Sequence, residues 1–219
     1  MRIRPTAVIF DYGNVLSAPQ GPGEIATMAS ILNADVEVFR PAYWKFRFQY
    51  DEAVLTPEDY WTAVASALST NLKGTQLSTL DADSRSWSYP ARDLPGWAHD
   101  LHDAGLRTAL LSNMPIPVRD YIQRCDWLPP FRQRTFSCDV RTAKPAPEIY
   151  RHCIQGLGVD SGEILFLDDR PENVRAAETF GIHGFVYQSA EQAAAELRLR
   201  FDMPVPLVAT LEYGDDKNQ

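Results

Sequence analysis

Polar residues that could perform chemistry lie at or shortly after the ends of short apolar segments of this chain. They are Asp11, the pair Ser112-Asn113, Lys144 and the pair Asp168-Asp169. A carboxylate that ends a buried strand lies where an open α/β sheet binds its ligands. An aspartate at a strand end is often only structural. The prediction of a site therefore depends on whether the other positions converge with Asp11.

The residue types of this set suit phosphoryl chemistry. A carboxylate such as Asp11 can attack phosphorus and form an acyl phosphate that water later breaks. Adjacent acids such as Asp168 and Asp169 repel each other unless a cation offsets their charge. Together with Asp11 they would form a hard oxygen site that suits Mg²⁺. The metal and Lys144 would then offset the negative charge of the transferring group.

The polar positions converge only if the segments before them are parallel strands. Short apolar or β-branched runs bounded by polar residues predict five strands. These are Ala7–Phe10, Thr108–Leu111, Gln133–Ser137, Ile164–Leu167 and Gly184–Tyr187. Helices are predicted at Leu94–Ala104, Pro147–Leu157, Asn173–Phe180 and Ser189–Phe201. Alternating strands and helices predict an α/β fold with a doubly wound parallel sheet.

The segment after the first strand has a different pattern. It shows no clear strand, and aromatic residues recur at helical spacing at Phe39, Tyr43, Phe46 and Tyr50. Thr56 followed by Pro57 is typical of a helix start. We interpret residues 17–89 as a helical cap inserted after the first strand, where it could close over the site. Residues 1–16 and 90–203 are predicted to form the α/β core, and residues 204–219 a C-terminal tail.

Composition restricts the classes of function. The 219 residues carry a formal net charge of -8, which disfavours nucleic-acid and anionic-membrane partners. Three cysteines without a C-x-x-C pair disfavour a disulfide framework and favour a reducing compartment. No apolar run approaches the roughly 18 residues of a membrane span or resembles a signal peptide. These features predict a cytoplasmic protein without a nucleic-acid or membrane partner, and we expect a monomer or a homodimer.

Four ordered segments of the chain resemble the motifs of the haloacid dehalogenase superfamily of hydrolases. The segments are VIFDYGNVLS, TALLSNM, RTAKPAPEIY and ILFLDDRPENVRAAETFGI. The resemblance covers roughly residues 5–18 and 90–188. It also implies a helical cap at the position of the insertion, which agrees with the pattern described above.

The resemblance implies a role for each matched residue. Asp11 is the implied nucleophile, and Ser112 with Asn113 is the implied phosphate-binding pair. Lys144 is expected to screen both the nucleophile and the phosphate. The implied Mg²⁺ ligands are Asp11, the backbone carbonyl of Gly13, Asp168 and Asp169, with Asp169 the better match of the last two. The implied substrate is a small phosphorylated molecule.

The chain departs from this family pattern at Gly13. Phosphatases of the superfamily usually have a second aspartate there, which protonates the leaving oxygen and then activates water. The D-x-G-N-V variant is similar to a subgroup that includes a sugar-1-phosphate phosphatase. An anomeric oxygen is a comparatively stable leaving group, so Gly13 favours the hypothesis of sugar 1-phosphate substrates. Alternatively, a cap carboxylate such as Asp51 or Glu52 replaces the missing acid.

Two other functions remain open at this level. A 2-haloacid dehalogenase releases halide without protonation, although its metal-free chemistry gives the Asp168-Asp169 pair no purpose. A phosphate-binding relative with little turnover would also explain Gly13. Within the cap, Tyr43, Trp44, Arg47 and Tyr50 are either specificity residues or, as is more usual for aromatic residues at helical spacing, core. Asn173 is predicted either to cap a helix or to orient Asp169.

Overall fold

A five-stranded parallel sheet forms the centre of the protein. The structure, a computed structural model, describes residues 2–72, 74 and 76–207. The strands lie in the order β3-β2-β1-β4-β5. They are β1 (Ala7–Phe10), β2 (Arg107–Ser112), β3 (Gln133–Phe136), β4 (Ile164–Asp168) and β5 (His183–Val186). The predicted fold class and all five predicted strands are confirmed. The last twelve residues of the predicted tail, 208–219, lie outside the described residues.

Helices form the insertion and lie in every connection between strands. Between β1 and β2 lie α1 (Pro22–Ile31), α2 (Val36–Lys45), α3 (Arg47–Asp51), α4 (Pro57–Ala67), α5 (Gln76–Ser86) and α6 (Leu94–Asp103). The later helices are α7 (Ile116–Ile122), α8 (Ser137–Val140), α9 (Pro147–Leu157), α10 (Pro171–Glu178) and α11 (Ala190–Arg200). The α10 helix begins two residues before its predicted start, because Pro171 fits the first turn of a helix.

Side chains on the two faces of the sheet belong to two different apolar clusters. Val8 and Phe10 point to the face that is covered by α6, α7 and α11. Ala7 and Ile9 point to the opposite face, where α9 and α10 pack. The strand period of two distributes alternate residues in this way. Because both faces are covered, the central strands β1 and β4 contain no polar residue before their carboxyl ends.

The helices α1 to α5 have an apolar cluster of their own. It includes Phe39, Tyr43 and Tyr50, all at most 1% exposed. The rings of Tyr50 and Tyr60 stack with centroids 4.1 Å apart. The helical run is interrupted at Phe46, where φ is -111°. Among the described residues, no helix is long and apolar enough to cross a membrane.

Candidate active site

The strand register brings three of the four predicted polar positions to one edge of the sheet. Phe10 lies between Leu110 of β2 and Leu167 of β4. Asp11 is therefore level with the end of both neighbouring strands, and its backbone N–H donates to Leu167 O at 2.8 Å. After β1, the chain adds β2 and β3 on one side of it and then β4 and β5 on the other side. Ligands of open α/β sheets bind at the carboxyl ends of strands at such a switch point.

Lys144 supplies the cation at this edge. Its Nζ donates to Asp11 Oδ1 at 2.7 Å, to Asp168 Oδ2 at 2.7 Å and to Leu111 O at 2.9 Å. These three bonds use all the donors of the ammonium group. Burial alone would lower the pKa of Lys144, but the two carboxylates outweigh it and raise the pKa above its ordinary value. Lys144 is therefore held as a fixed positive charge.

The carboxylates of Asp11, Asp168 and Asp169 form a cluster. Each contributes one oxygen atom, and these three oxygens lie within 4.8 Å of one another. Burial raises the pKa of Asp11 and of Asp169, and the other acids of the cluster raise both further. One lysine does not offset three carboxylates. The donor set is hard oxygen with excess negative charge, which fits a Mg²⁺ ion.

Asp168 and Asp169 differ in how their oxygens are used. Asp168 is fully buried, and it accepts bonds from Lys144 Nζ, from the backbone N–H of Arg170 and from Asn173 Nδ2. Asp169 lines the cavity described below and accepts one side-chain bond, from Asn14 Nδ2 at 2.8 Å. Asp169 therefore has more free acceptor capacity than Asp168.

Both sequence interpretations of Asn173 were wrong. The residue before α10 is Arg170, so Asn173 lies inside the helix and does not cap it. Its amide contacts Asp168 at 3.0 and 3.1 Å instead of Asp169, because the fully buried carboxylate needs donors on both oxygens. Asn173 Oδ1 is buried without a partner among the described residues and lies at the cavity. It could accept a bond from a water molecule on a bound cation.

Ser112 and Asn113 lie at the same edge, and both line the cavity. The side chain of Asn113 pairs twice with the backbone of Lys144. Asn113 Nδ2 donates to Lys144 O at 2.9 Å, and Lys144 N–H donates to Asn113 Oδ1 at 2.8 Å. The Asn113 side chain thus fixes the segment that carries the lysine, which leaves the hydroxyl of Ser112 as the side-chain donor of this pair.

The backbone at Gly13 does not require glycine, since its φ of -64° and ψ of 131° suit any residue. The space beside it is the constraint. A Cβ at position 13 would lie 3.3 Å from Cζ3 of Trp87, which follows α5. Tyr12 Oη holds this segment by donating to Trp87 O at 2.6 Å. The indole therefore occupies the region into which a side chain at position 13 would extend.

One cavity of about 140 Å³ connects these groups with the insertion. Its core lining includes Asp11, Gly13, Ser112, Asn113, Lys144 and Asp169, so every predicted site residue except Asp168 borders it. Trp44, Arg47, Asp51 and Trp87 line the side formed by residues of the insertion. Among the aromatic residues of the insertion, Tyr43 and Tyr50 are core, as aromatic residues at helical spacing usually are. Trp44, in contrast, is 50% exposed.

Sequence reasoning missed the role of two residues near the site. Asn14 has a left-handed backbone with φ of 59°, which aims its amide at Asp169. Asparagine tolerates this conformation better than most residues, so the Gly-Asn pair was an available signal. Asp83 accepts bonds from Tyr43 Oη at 2.7 Å and from Arg47 Nη1 at 3.1 Å. Nothing in the local sequence around Asp83 indicates this buried contact.

Comparison with known proteins gives a consistent family. Residues 6–181 match the model of the haloacid dehalogenase-like hydrolases. Flavin mononucleotide hydrolase 1 of Arabidopsis thaliana is 37% identical over 71 residues, which are 32% of this chain and 29% of that protein. A sesquiterpene phosphatase of Aspergillus oryzae is 22% identical over 197 residues, which are 88% of this chain and 94% of that protein. The chain thus spans less than a third of the first relative.

A solved structure shares the fold. A haloacid dehalogenase family enzyme of Bacteroides thetaiotaomicron, in complex with magnesium and inorganic phosphate, superposes with a TM-score of 0.62. It is 20% identical, and the match covers 85% of this chain and 94% of that one. At this identity the likeness concerns the fold alone.

Proposed function

Since this chain belongs to the haloacid dehalogenase-like hydrolases, we propose that it hydrolyses small phosphomonoesters in a Mg²⁺-dependent reaction through an aspartyl-phosphate on Asp11. The observation that carries the proposal is the contact of Lys144 with both Asp11 and Asp168 beside the open carboxylate of Asp169. A nucleophile, a fixed cation and an acidic pair at one strand edge form the set that phosphoryl transfer requires.

Each residue then has a stated task. Asp11 attacks phosphorus through one carboxylate oxygen, while Lys144 holds the other oxygen in place. Ser112 Oγ and the backbone of Asn113 bind phosphate oxygens. Mg²⁺ would be held by Asp11, Asp169, the carbonyl of Gly13 and Asp168, the last either directly or through water. The metal would supply positive charge for the transferring group and for the nucleophile, which would oppose the rise in the pKa of Asp11 caused by burial and the neighbouring acids.

The substrate that we propose is a small phosphorylated metabolite, with sugar phosphates as the first candidates. The cavity is small and lies between the core and residues of the insertion, so a polymer would not enter it. The names of both sequence relatives describe hydrolysis of phosphorylated small molecules, and the solved relative binds magnesium and phosphate. We propose residues 17–89 as a cap that excludes water during attack.

A direct test measures inorganic phosphate released from 4-nitrophenyl phosphate and a panel of sugar phosphates, with Mg²⁺ and with EDTA. We expect turnover with Mg²⁺ and none with EDTA. Asp11→Asn should lower kcat by about 10⁴-fold, the scale on which loss of a group central to covalent catalysis acts. Asp81→Asn is the matched control, because Asp81 is exposed on α5 and pairs with the exposed Arg85.

Three outcomes would overturn the proposal. Wild-type turnover in Asp11→Asn would exclude Asp11 as the nucleophile. Phosphate release could be undetectable across the panel, which leaves a binding protein with little turnover. Halide release from 2-haloacids in EDTA would instead identify a dehalogenase. Melting temperatures of both variants establish that each one is folded.

A further inference from the structure

We propose that Asp51 of α3 is the general acid and base of this site, in place of the carboxylate that is absent at Gly13. This inference rests on the proposed phosphatase function. It assigns a catalytic residue to the insertion, whereas the other catalytic groups lie on the core. It also removes the restriction to substrates with a stable leaving group, such as sugar 1-phosphates.

The cavity lining leaves a single carboxylate for the task. Among the described residues that line the cavity, only Asp11, Asp51 and Asp169 carry a carboxyl group. The first is the proposed nucleophile and the third a proposed metal ligand, so Asp51 remains. Glu52, the other cap carboxylate that the sequence suggested, does not line the cavity.

The backbone at Asp51 is fixed to the loops that surround the reacting groups. Ser137 Oγ, directly after β3, donates to Asp51 O at 2.5 Å and accepts from the backbone N–H of Met114. Glu52 Oε1 accepts from the backbone N–H of Ala143, the neighbour of Lys144, at 3.0 Å. The end of α3 therefore sits between the segments that carry Ser112-Asn113 and Lys144.

The surroundings of Asp51 suit a group that must gain and lose a proton near neutral pH. Its side chain is only 13% exposed, and burial raises its pKa to about 6 although Arg47 opposes the shift. Arg47 Nε donates to Asp51 Oδ1 at 2.8 Å, which leaves Oδ2 as the oxygen available to carry the proton. The charged or titratable groups around it are Arg47, Asp83, Glu52, Cys138, Tyr50 and Tyr60.

The reaction balances with this single group. As Asp11 forms its bond to phosphorus, the ester P–O bond breaks, and protonated Asp51 gives its proton to the leaving oxygen, which departs as an alcohol. The Asp51 carboxylate then takes a proton from water while that water attacks phosphorus. The P–O bond to Asp11 breaks, inorganic phosphate leaves, and both aspartates return to their starting states.

The test compares leaving groups in wild-type protein and in Asp51→Asn. Asparagine keeps an oxygen acceptor for Arg47 but carries no acidic proton. We expect kcat for a primary alkyl phosphate, such as a sugar 6-phosphate, to fall by about 10²–10³-fold. For 4-nitrophenyl phosphate, whose leaving oxygen needs no proton, the first step should fall by less than about tenfold. In wild type, kcat/KM for the alkyl phosphate should decline above about pH 6, and this decline should be absent in Asp51→Asn.

Glu52→Gln is the matched control, because it keeps the acceptor for Ala143 and removes only a charge. It should keep the wild-type kcat with both substrates, and its pH decline should move slightly to lower pH, because the Glu52 charge raises the pKa of Asp51. Equal losses for both substrates in Asp51→Asn would show a structural role and overturn the inference, as would a leaving-group dependence that appears in Glu52→Gln instead. If wild-type protein hydrolyses neither ester, the proposed function fails first. Single-turnover measurements separate the first step from the second.

Discussion

At the scale of single residues, charge balance explains the arrangement of the site. Lys144 makes two carboxylate contacts and is 2% exposed, so removal of its charge would leave two buried acids without this counter-charge. Its three acceptors lie at the ends of β1, β2 and β4, and Asn113 fixes its backbone. The protein thus holds a cation beside the nucleophile without further side-chain rearrangement, which is the preorganisation that electrostatic catalysis needs.

The same scale explains why position 13 is glycine. We expect Gly13→Asp to lower the free energy of unfolding by about 1–3 kcal/mol, because the new side chain would overlap the indole of Trp87. In a Trp87→Ala background, the penalty should fall by at least about 1 kcal/mol. Urea denaturation of the double-mutant cycle measures both values. Gly162→Asp is the control, since a Cβ there would meet no atom within 4 Å. An equal penalty in both backgrounds would contradict the steric explanation.

The sequence predicted which residues of the core form the site. It predicted only some of the contacts that these residues make. Asp11, Lys144 and the acidic pair follow or lie near strand ends, and parallel strands bring such ends together. The contact of Trp87 with Gly13 joins residues 74 positions apart through packing. Neither residue carries a local signal of it. The difference in free acceptor capacity between Asp168 and Asp169 likewise depends on their contacts with Asn173 and Asn14. These contacts exist only in the folded chain.

At the scale of elements, the insertion depends on one buried ion cluster. Arg47 of α3 contacts Asp51 on the same helix and Asp83 on α5. Tyr43 Oη donates to Asp83 and also accepts from Arg47. Helical spacing predicted the aromatic residues of this region correctly. It could not predict that Asp83 is buried, because the sequence of α5 resembles that of a solvent-exposed helix.

Removal of one acid from this cluster should weaken the insertion strongly. We expect Asp83→Ala to lower the free energy of unfolding by about 3–5 kcal/mol, because it leaves the Arg47 guanidinium buried with fewer partners. Asp81→Ala, on the same helix, removes an exposed pair with Arg85 and should cost less than about 1 kcal/mol. Urea denaturation followed by circular dichroism compares the two. Similar losses for both variants would show that the cluster does not stabilise the fold.

At the scale of the whole molecule, the insertion and the sheet meet through polar contacts at the cavity. Ser137 and Asp51 are 86 positions apart, and Glu52 and Ala143 are 91 positions apart. Strand and helix periodicity predicts the elements but carries no information about such distant pairs. Both contacts are single hydrogen bonds, each worth about 1 kcal/mol. Ala53 and Trp87 of the insertion also pack against the apolar cluster that contains Val8 and Phe10.

Loss of one of these bonds should loosen the proposed cap from the core. Glu52→Ala removes the acceptor of the Ala143 N–H, and we expect amide hydrogen exchange in Arg47–Asp51 to accelerate about five- to tenfold. Exchange in β1 should not change, because its amides open only with the sheet. Glu58→Ala is the matched control, since Glu58 is exposed on α4 and its replacement removes a similar charge. Unchanged exchange in α3 would mean that this contact does not hold the cap. Equal acceleration in β1 would mean that the two parts open together.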